Sequence, residues 1–202
     1  MLTSAALGAA IARLHERIGP IRQALDAADR ELGDGDTGMT VEGLVSAWST
    51  VAPTFGDDVG TALTALARET RRASGSSLGS VVAIGLAAAG KVLQGRDAVD
   101  APELAGALRA AVEAISARSG ATPGDKTVLD SLDRIAAALR TTSAHDGLLD
   151  TGVAAADAAL DEFRGRESRL GRARVYGTRS AGRDDPGMMA ASLLLHALRD
   201  SR

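Results

Sequence analysis

The sequence predicts one all-α domain of about eight helices, packed as an antiparallel bundle, over residues 1–202. Its apolar residues recur at i, i+4, i+7 and i+11, which is the spacing of an amphipathic helix, and no stretch alternates as a strand would. Aromatic residues make up only 2% of the chain, which is too few for strand-rich packing. A length of 202 residues fits one domain with one hydrophobic core.

The apolar stripes, and the signals at their ends, predict the helices in chain order. Asp100 with Glu103 is a capping-box pair, and Asp185 is an N-cap before a proline at the first helical position. Helices are therefore expected to begin at about residues 101 and 186. The full set lies near residues 3–18, 20–31, 38–50, 58–72, 76–93, 101–118, 126–142 and 148–164, with a ninth helix over 186–200.

The composition excludes several classes of protein. A net charge of −3, with 24% charged and 45% hydrophobic residues, is typical of a globular protein and excludes a basic nucleic-acid clamp. The absence of cysteine excludes a disulfide scaffold, a thiolate zinc site, an iron–sulfur cluster and a cysteine nucleophile. Charges interrupt the apolar residues of 1–20, and no basic leader precedes them, so we expect no membrane association and a cytoplasmic location.

Glycine-rich breaks between the predicted helices are candidate functional loops. They cover residues 33–38, 74–79, 120–124 and 165–187. The last break has no helical stripe, and such a long segment is typical of a lid, a binding loop or disorder. Seven arginines lie in residues 164–183, whereas five acidic residues lie in 26–36.

Three aspartates around the first break are candidate metal ligands. Asp29 follows Leu25 by four residues, so it lies on the buried stripe, where an unpaired carboxylate is unfavourable. Asp34 and Asp36 lie in a glycine-flanked turn that brings both carboxylates beside Asp29. Mg²⁺ would relieve their repulsion and keep positions open for phosphate oxygens. The spacing is not that of an EF-hand, but spacing alone leaves both a metal site and an ordinary capped turn open.

Two predicted helix starts are candidate phosphate sites. Residues 37–40 open one helix directly after the acidic turn, and the hydroxyl-rich residues 73–79 open another. Free N–H groups and the positive end of the helix dipole favour an anion at such starts, although serine and glycine at the second start are also ordinary caps. No Walker-type loop is present.

Four segments in this order resemble the nucleotide-binding subunit of dihydroxyacetone kinases, DhaL. They are Leu-Asp-Ala-Ala-Asp-Arg-Glu-Leu-Gly-Asp-Gly-Asp-Thr-Gly at 25–38, Ala-Ser-Gly at 73–75, Pro-Gly-Asp-Lys-Thr-Val-Leu-Asp at 123–130, and Gly-Arg-Ala-Arg-Val-Tyr-Gly-Thr-Arg-Ser-Ala-Gly-Arg-Asp-Asp-Pro-Gly at 171–187. The resemblance extends over essentially the whole chain. Each segment lies at a break that the helix pattern had already located.

The resemblance implies an eight-helix antiparallel barrel with ATP or ADP bound at one end. In this family the nucleotide is held through two Mg²⁺ ions by aspartates that match Asp29, Asp34 and Asp36. Arg172 is the implied catalytic residue, since an arginine can meet the charge that develops on a transferring phosphoryl group. The nucleotide contacts match Thr37, Gly38, Met39, Thr40, Ala73, Ser74, Ser119, Gly120, Val128, Arg172, Asp185, Pro186 and Gly187.

The implied function is that of a phosphotransferase subunit acting with a partner. A separate DhaK-type subunit would hold dihydroxyacetone or a related short ketose, and a phosphotransferase-type donor subunit is a further candidate partner. Some members have histidine where Thr37 stands, so this form of the motif favours ATP as the donor. Two alternatives are a fatty-acid-kinase-like domain, which shares the acidic motif, and a non-catalytic nucleotide-binding regulatory or interaction module.

Four further polar residues receive weaker assignments. Lys126 is expected either to be solvated beside an Asp125 cap or to contact phosphate, with neither favoured. His15, His145 and His196 adjoin no motif, and no role is predicted for them.

Overall fold

The computed structural model describes residues 1–142 and 147–200, and this part of the chain contains eight α-helices. They are α1 (Ser4–Leu32), α2 (Thr37–Val51), α3 (Val59–Ala73), α4 (Ser77–Val92), α5 (Ala101–Ser119), α6 (Val128–Leu139), α7 (Leu148–Arg164) and α8 (Pro186–Arg199). Two short 3-10 segments cover Ala52–Thr54 and Arg172–Ser180, the second broken at Gly177. A two-residue strand β1 (Leu2–Thr3) pairs antiparallel with β2 (Ala98–Val99).

The helices form a closed ring, because each packs against the next in sequence and α8 packs against α1. Short connections make most neighbours antiparallel, and contacts of Arg164 with Gly182 and Asp184 bring the end of α7 close to the start of α8. The predicted all-α antiparallel barrel is therefore confirmed. One part of its core joins α1, α2 and α8 through Leu14, Ile18, Ile21, Leu25, Val41, Val45 and Ala190. Another joins α1, α3, α4 and α5 through residues such as Ile11, Val59, Leu66, Leu93 and Ala107.

The prediction of two helices over 3–18 and 20–31 is wrong, since α1 is one helix of 29 residues that contains Pro20. The apolar stripe continues across the proline, with Ile18 and Ile21 both buried. Pro20 itself is exposed, on the side of the helix where water can satisfy the carbonyl that proline leaves unpaired. The helix predicted over 186–200 is consequently the eighth of the ring.

The alternation of helix direction places all four glycine-rich breaks at one end of the barrel. This end, which we call the site end, collects the C-termini of α1, α3, α5 and α7 and the N-termini of α2, α4, α6 and α8. The opposite, distal end carries the connections 52–58 and 93–100. His145 lies outside the described residues. Within the described ranges, no helix has the length and apolarity needed to cross a membrane.

Candidate functional site

Asp29, Asp34 and Asp36 meet at the site end, each offering a carboxylate oxygen within 4.8 Å of the others. Asp29 is buried on α1, and its Oδ2 accepts hydrogen bonds from the backbone N–H groups of Asp36 (2.9 Å) and Thr37 (3.1 Å). These bonds satisfy the buried carboxylate and cap the start of α2. Asp36, the N-cap residue of α2, makes no side-chain cap bond itself.

Glycines allow the acidic turn to close tightly on α1. A Cβ at Gly33 would lie 2.1 Å from Asp29 Oδ1, so any larger residue would displace that carboxylate. Gly35 has a φ of +78°, a left-handed conformation that glycine adopts without strain. A Cβ at Gly38 would lie 2.1 Å from the Arg22 carbonyl oxygen, so α2 begins in direct contact with the α1 backbone.

Asp26 is a site-end residue that the sequence did not single out. It is buried, its Oδ1 accepts a hydrogen bond from the Met39 N–H at 3.1 Å, and Oδ2 lies 3.6 Å from Arg22 Nε. Asp26 precedes Asp29 by three residues, which places both on neighbouring turns of one helix face. That spacing was the signal that could have identified it as a second cap of α2.

The arginine-rich segment, residues 164–183, lies over the acidic turn, residues 33–36. The Arg172 guanidinium contacts the carboxylate of Asp34 and lies 3.4 Å from Asp36 Oδ1, and Arg183 contacts Glu31. The two opposed charge clusters of the sequence are thus neighbours in space. The near-neutral total charge of the chain conceals this pairing.

A cavity of about 230 Å³ opens at the site end beside the acidic turn. Eight of the predicted site residues line it: Asp36, Thr37, Thr40, Val128, Arg172, Asp185, Pro186 and Gly187. Three other lining residues, Ser76, Ser77 and Leu78, belong to the candidate phosphate site at 73–79, so this second helix start does reach the cavity. Four more lie in segments that the sequence singled out without giving them a role of their own: Thr127, Leu170, Gly171 and Ala173. The sequence did not single out Val81. Asp36 belongs to both the acidic trio and the cavity wall, so it joins the two.

Six other predicted contact residues do not line this cavity. Gly38 is buried against α1, Met39 is 55% exposed, and Ala73 is the last residue of α3. Ser74 does not line the cavity itself, but its Oγ is 2.9 Å from the Oγ of Ser76, which does. Ser119 Oγ donates to the Ile115 carbonyl at 2.8 Å, and Gly120 ends α5 in a left-handed conformation. Their roles in binding stay predictions.

Four helix N-termini open onto the cavity, because first-turn residues of α2, α4, α6 and α8 line it. Ser76, Thr127 and Asp185 cap α4, α6 and α8 through their side chains. Unpaired N–H groups and the positive ends of helix dipoles favour anions at such positions. Their convergence on one cavity suits a ligand with several phosphate groups.

The carboxyl groups of two capping residues near the cavity, Asp185 and Asp130, have raised pKa values. Burial raises the pKa of Asp185 to about 6, against the lowering effect of the hydrogen bond from the Met188 N–H. Burial likewise raises the pKa of Asp130, whose carboxylate accepts hydrogen bonds from the N–H groups of Thr127 and Gly124. The charge of the α8 start therefore changes near pH 6.

Both interpretations of Lys126 are wrong. Its side chain is 1% exposed and does not line the cavity, and its Nζ donates to three backbone carbonyls of the arginine-rich segment. The Asp125 carboxylate accepts hydrogen bonds from Thr122 instead. Burial lowers the pKa of Lys126, partly offset by the charges of Asp185 and Asp184.

Residues 31–200 match the DAK2 domain. The chain belongs to the DAK2 domain family. The match contains Asp34, Asp36, Arg172 and Asp185, whereas Asp29 precedes it. The place of Asp29 in the acidic trio therefore rests on its contacts in the structure.

This DAK2 domain is similar to kinases and to a kinase subunit. It is 29% identical over 185 residues to a triokinase/FMN cyclase of Rattus norvegicus, covering 88% of this chain and 32% of that protein. It is 29% identical over 202 residues to a D-erythrulose kinase of Mycolicibacterium smegmatis, covering 96% of this chain and 34% of that protein. It spans about a third of the length of these two relatives.

A third relative is close to this chain in length. It is the ADP-binding subunit DhaL of the PEP-dependent dihydroxyacetone kinase of Escherichia coli (strain K12), which is 27% identical over 179 residues, 86% of this chain and 85% of that subunit. Among solved structures, the native dihydroxyacetone kinase of C. freundii superposes with a TM-score of 0.77 at 20% identity, over 98% of this chain and 34% of that one. The same kinase with AMP-PNP and Mg²⁺ gives 0.74 at 21% identity, over 96% and 33%. These structures show that the fold is shared.

Proposed function

We propose that this DAK2 domain binds ATP and ADP with Mg²⁺ and is the nucleotide-binding phosphotransferase part of a short-ketose kinase. One observation carries the proposal: the acidic trio shares Asp36 with a cavity onto which four helix N-termini open. A Mg²⁺–nucleotide complex needs hard oxygen ligands for its ion and N–H donors for its phosphates. The two sets of groups meet at the site end.

The residues of the trio fit a magnesium ion. Three carboxylates within 4.8 Å of one another supply the oxygen ligands that Mg²⁺ prefers, and Asp29 is already oriented by its bonds to α2. Asp29, Asp34 and Asp36 would hold the ion, and we propose two ions, as the resemblance implies. When bound, Mg²⁺ would supply positive charge that offsets the negative charge developing during phosphoryl transfer.

The cavity wall divides into polar and apolar parts that suit the two halves of a nucleotide. The starts of α2, α4 and α8 direct the positive ends of their helix dipoles at the cavity, which suits phosphates. The apolar side chains of Leu78, Val81, Val128 and Leu170 offer a surface for the base. The remaining predicted contacts, Gly38, Met39, Ala73, Ser74, Ser119 and Gly120, would close around the ligand.

Arg172 is the proposed catalytic residue. Its guanidinium now pairs with Asp34 and Asp36, the carboxylates that would hold the metal. Binding of a Mg²⁺–nucleotide complex would replace this partner with phosphate oxygens, to which guanidinium binds strongly. The arginine would then stabilise charge on the transferring phosphoryl group.

The acceptor would be dihydroxyacetone or a related short ketose on a separate DhaK-type subunit. Two relatives support this proposal, because one is named a D-erythrulose kinase and the other a subunit of a dihydroxyacetone kinase. The second of these, from E. coli, is also similar to this chain in length. Thr37 in the acidic motif favours ATP as the direct donor over a phosphotransferase-type subunit.

Calorimetry with ADP, with and without Mg²⁺, tests binding directly. Turnover is tested by adding a DhaK-type subunit, dihydroxyacetone and ATP, and following dihydroxyacetone phosphate. We expect Mg²⁺-dependent binding and ketose phosphorylation. Tight binding without turnover by any ketose-holding partner would favour the non-catalytic module, and no binding would refute the proposal.

A further inference from the structure

We propose that Lys126 is a positioning residue that holds the segment 165–181 in place and thereby keeps Arg172 over the acidic turn. The role of Arg172 in this inference rests on the proposed function. Lys126 itself does not line the cavity, so it would act through the segment and not through the ligand.

The Lys126 ammonium joins both ends of the segment. Nζ donates to the carbonyl oxygens of Arg164 (3.1 Å) and Arg166 (2.8 Å) at its start, and of Ser180 (2.8 Å) at its end. A lysine ammonium has three N–H donors, and all three are matched here by acceptors. Because this ammonium is buried, moving any one of the three carbonyls away would leave an N–H donor without a partner, which is unfavourable. The ammonium therefore fixes the positions of all three carbonyls.

Weaker ties run beside the ammonium. The Gly182 N–H donates to the Arg164 carbonyl at 2.8 Å, and Ser180 Oγ accepts from the Ser168 N–H at 2.9 Å and donates to the Gly177 carbonyl at 2.6 Å. Each of these bonds lies within the segment or joins its flanks. Lys126 comes from a different part of the chain, so its three bonds anchor the segment to the barrel. The Arg169 N–H adds a fourth bond there, since it donates to the Asp125 carbonyl at 3.0 Å.

The backbone around Lys126 is shaped to turn its side chain inward. Lys126 has a φ of +61°, and it is the one non-glycine residue with positive φ among residues 1–142 and 147–200. That conformation is unfavourable for lysine, so the surrounding structure must impose it. The Asp130 carboxylate does so from α6, by accepting hydrogen bonds from the N–H groups of Thr127 and Gly124 on either side.

Arg172 lies between the anchored ends. It reaches Asp36 across 136 residues of sequence, and its own segment has only short 3-10 turns to hold its shape. Few regular backbone bonds support such a segment, so local opening is easy unless something pins it. Removing the ammonium should therefore free Arg172 while leaving the barrel helices packed.

Lys126→Met, which keeps the length of the side chain without its donors, is the test variant. Lys91→Met is the matched control, because Lys91 is the only other lysine of the chain and is exposed. Limited trypsin digestion should cut Lys126→Met at the arginines of 166–179 about tenfold faster than wild type, with Lys91→Met unchanged. Circular dichroism should show a folded helical protein in each case.

A double-mutant cycle on Mg²⁺-dependent ADP binding separates positioning from general damage. Lys126→Met and Arg172→Ala should each weaken binding about tenfold, and the double variant should be no weaker than Arg172→Ala alone. A structural role without positioning would instead give effects that multiply. Wild-type loop protection in Lys126→Met, or multiplicative losses, would overturn the inference.

If Lys126→Met does not fold, Lys126→Gln takes its place, since an amide keeps donors but cannot reach all three carbonyls. Faster cleavage of the segment in that variant supports the inference, and unchanged cleavage overturns it. Failure of the proposed function has a different signature. The wild-type chain would then bind no ADP, while the trypsin pattern would still decide whether Lys126 holds the segment.

Discussion

The two ends of the barrel each collect four helix N-termini, but they use their acidic side chains differently. At the distal end the acids cap helices: Asp58 accepts from the Thr61 N–H at 2.6 Å, and Asp100 forms a capping box with Glu103. At the site end Asp130 and Asp185 likewise cap α6 and α8, but Asp29 caps α2 from the preceding helix, so the Asp36 carboxylate makes no cap bond. Helix N-termini therefore occur at both ends and do not identify the site by themselves. A carboxylate at a helix start that makes no cap bond, such as that of Asp36, is the more specific sign of a metal site.

The largest expected effect is the loss of nucleotide binding when the carboxylates of the acidic turn are removed. Replacing both Asp34 and Asp36 by asparagine should remove measurable Mg²⁺-dependent ADP binding, a loss of more than about 100-fold, because the ion loses two anionic ligands. Calorimetry measures the affinity, and circular dichroism should show an unchanged helical fold.

The matched control lies at the distal end. Asp57 and Asp97 are two exposed acids there, and replacing both by asparagine makes the same change in charge. ADP affinity should then stay within about twofold of wild type. Equal losses in the two double variants would show that overall charge, and not the site, governs binding.

The next effect concerns the pH dependence of stability at the α8 cap. Because burial raises the pKa of Asp185 to about 6 from an ordinary 3.8, the folded state binds its proton more tightly than the unfolded state. The associated stabilisation is complete below about pH 4 and is lost as the pH rises through 6, and amounts to at most about 3 kcal/mol. Urea unfolding at pH 4 and pH 7 should show this fall in wild type, and Asp185→Asn should remove it.

A smaller effect should follow from closing the space beside Asp29. In Gly33→Ala the new Cβ would meet Asp29 Oδ1 at 2.1 Å, so the carboxylate must shift and the trio opens. We expect Mg²⁺-dependent ADP binding to weaken about tenfold. Gly56→Ala at the distal end is the control, since no atom lies within 4 Å of its Cβ. Equal affinities for the two variants would mean that the turn tolerates the displacement.

The smallest effect concerns Asp58, whose contribution to stability is lost at low pH, whereas that of Asp185 is lost at high pH. Hydrogen bonds from the N–H groups of Thr61 and Gly95 hold the pKa of Asp58 below its ordinary 3.8, and burial opposes them only in part. Its stabilisation is present above pH 3.8 and disappears as the pH falls through the lowered pKa. Asp58→Asn should therefore lower the unfolding midpoint slightly at pH 7, and by progressively less as the pH falls below 3.8. A larger loss at low pH would contradict this assignment.

The helices could be predicted because each buries a regular stripe, and the same rule located Asp29. It failed at Pro20, since local proline chemistry predicts a break, whereas the buried neighbours Ile18 and Ile21 continue the helix. It failed again at Lys126, because the three carbonyls that bind its ammonium lie 38 to 54 positions away in the sequence. The family resemblance implied that Arg172 and the acids belong to one nucleotide site, but their direct contact was not predicted, because no periodicity relates residues so far apart.

The closure of α8 onto α1 has a consequence for how the chain acquires its site. The acidic trio is complete within residues 29–36, but its arginine partner is 136 residues further along. Most contacts in this barrel join neighbouring helices, so they form quickly, whereas this closure has a high contact order and should be slow. A ribosome-bound chain that ends before Arg172 would carry its three aspartates without this counter-charge. The order of synthesis thus makes the metal ligands available before the binding mouth exists.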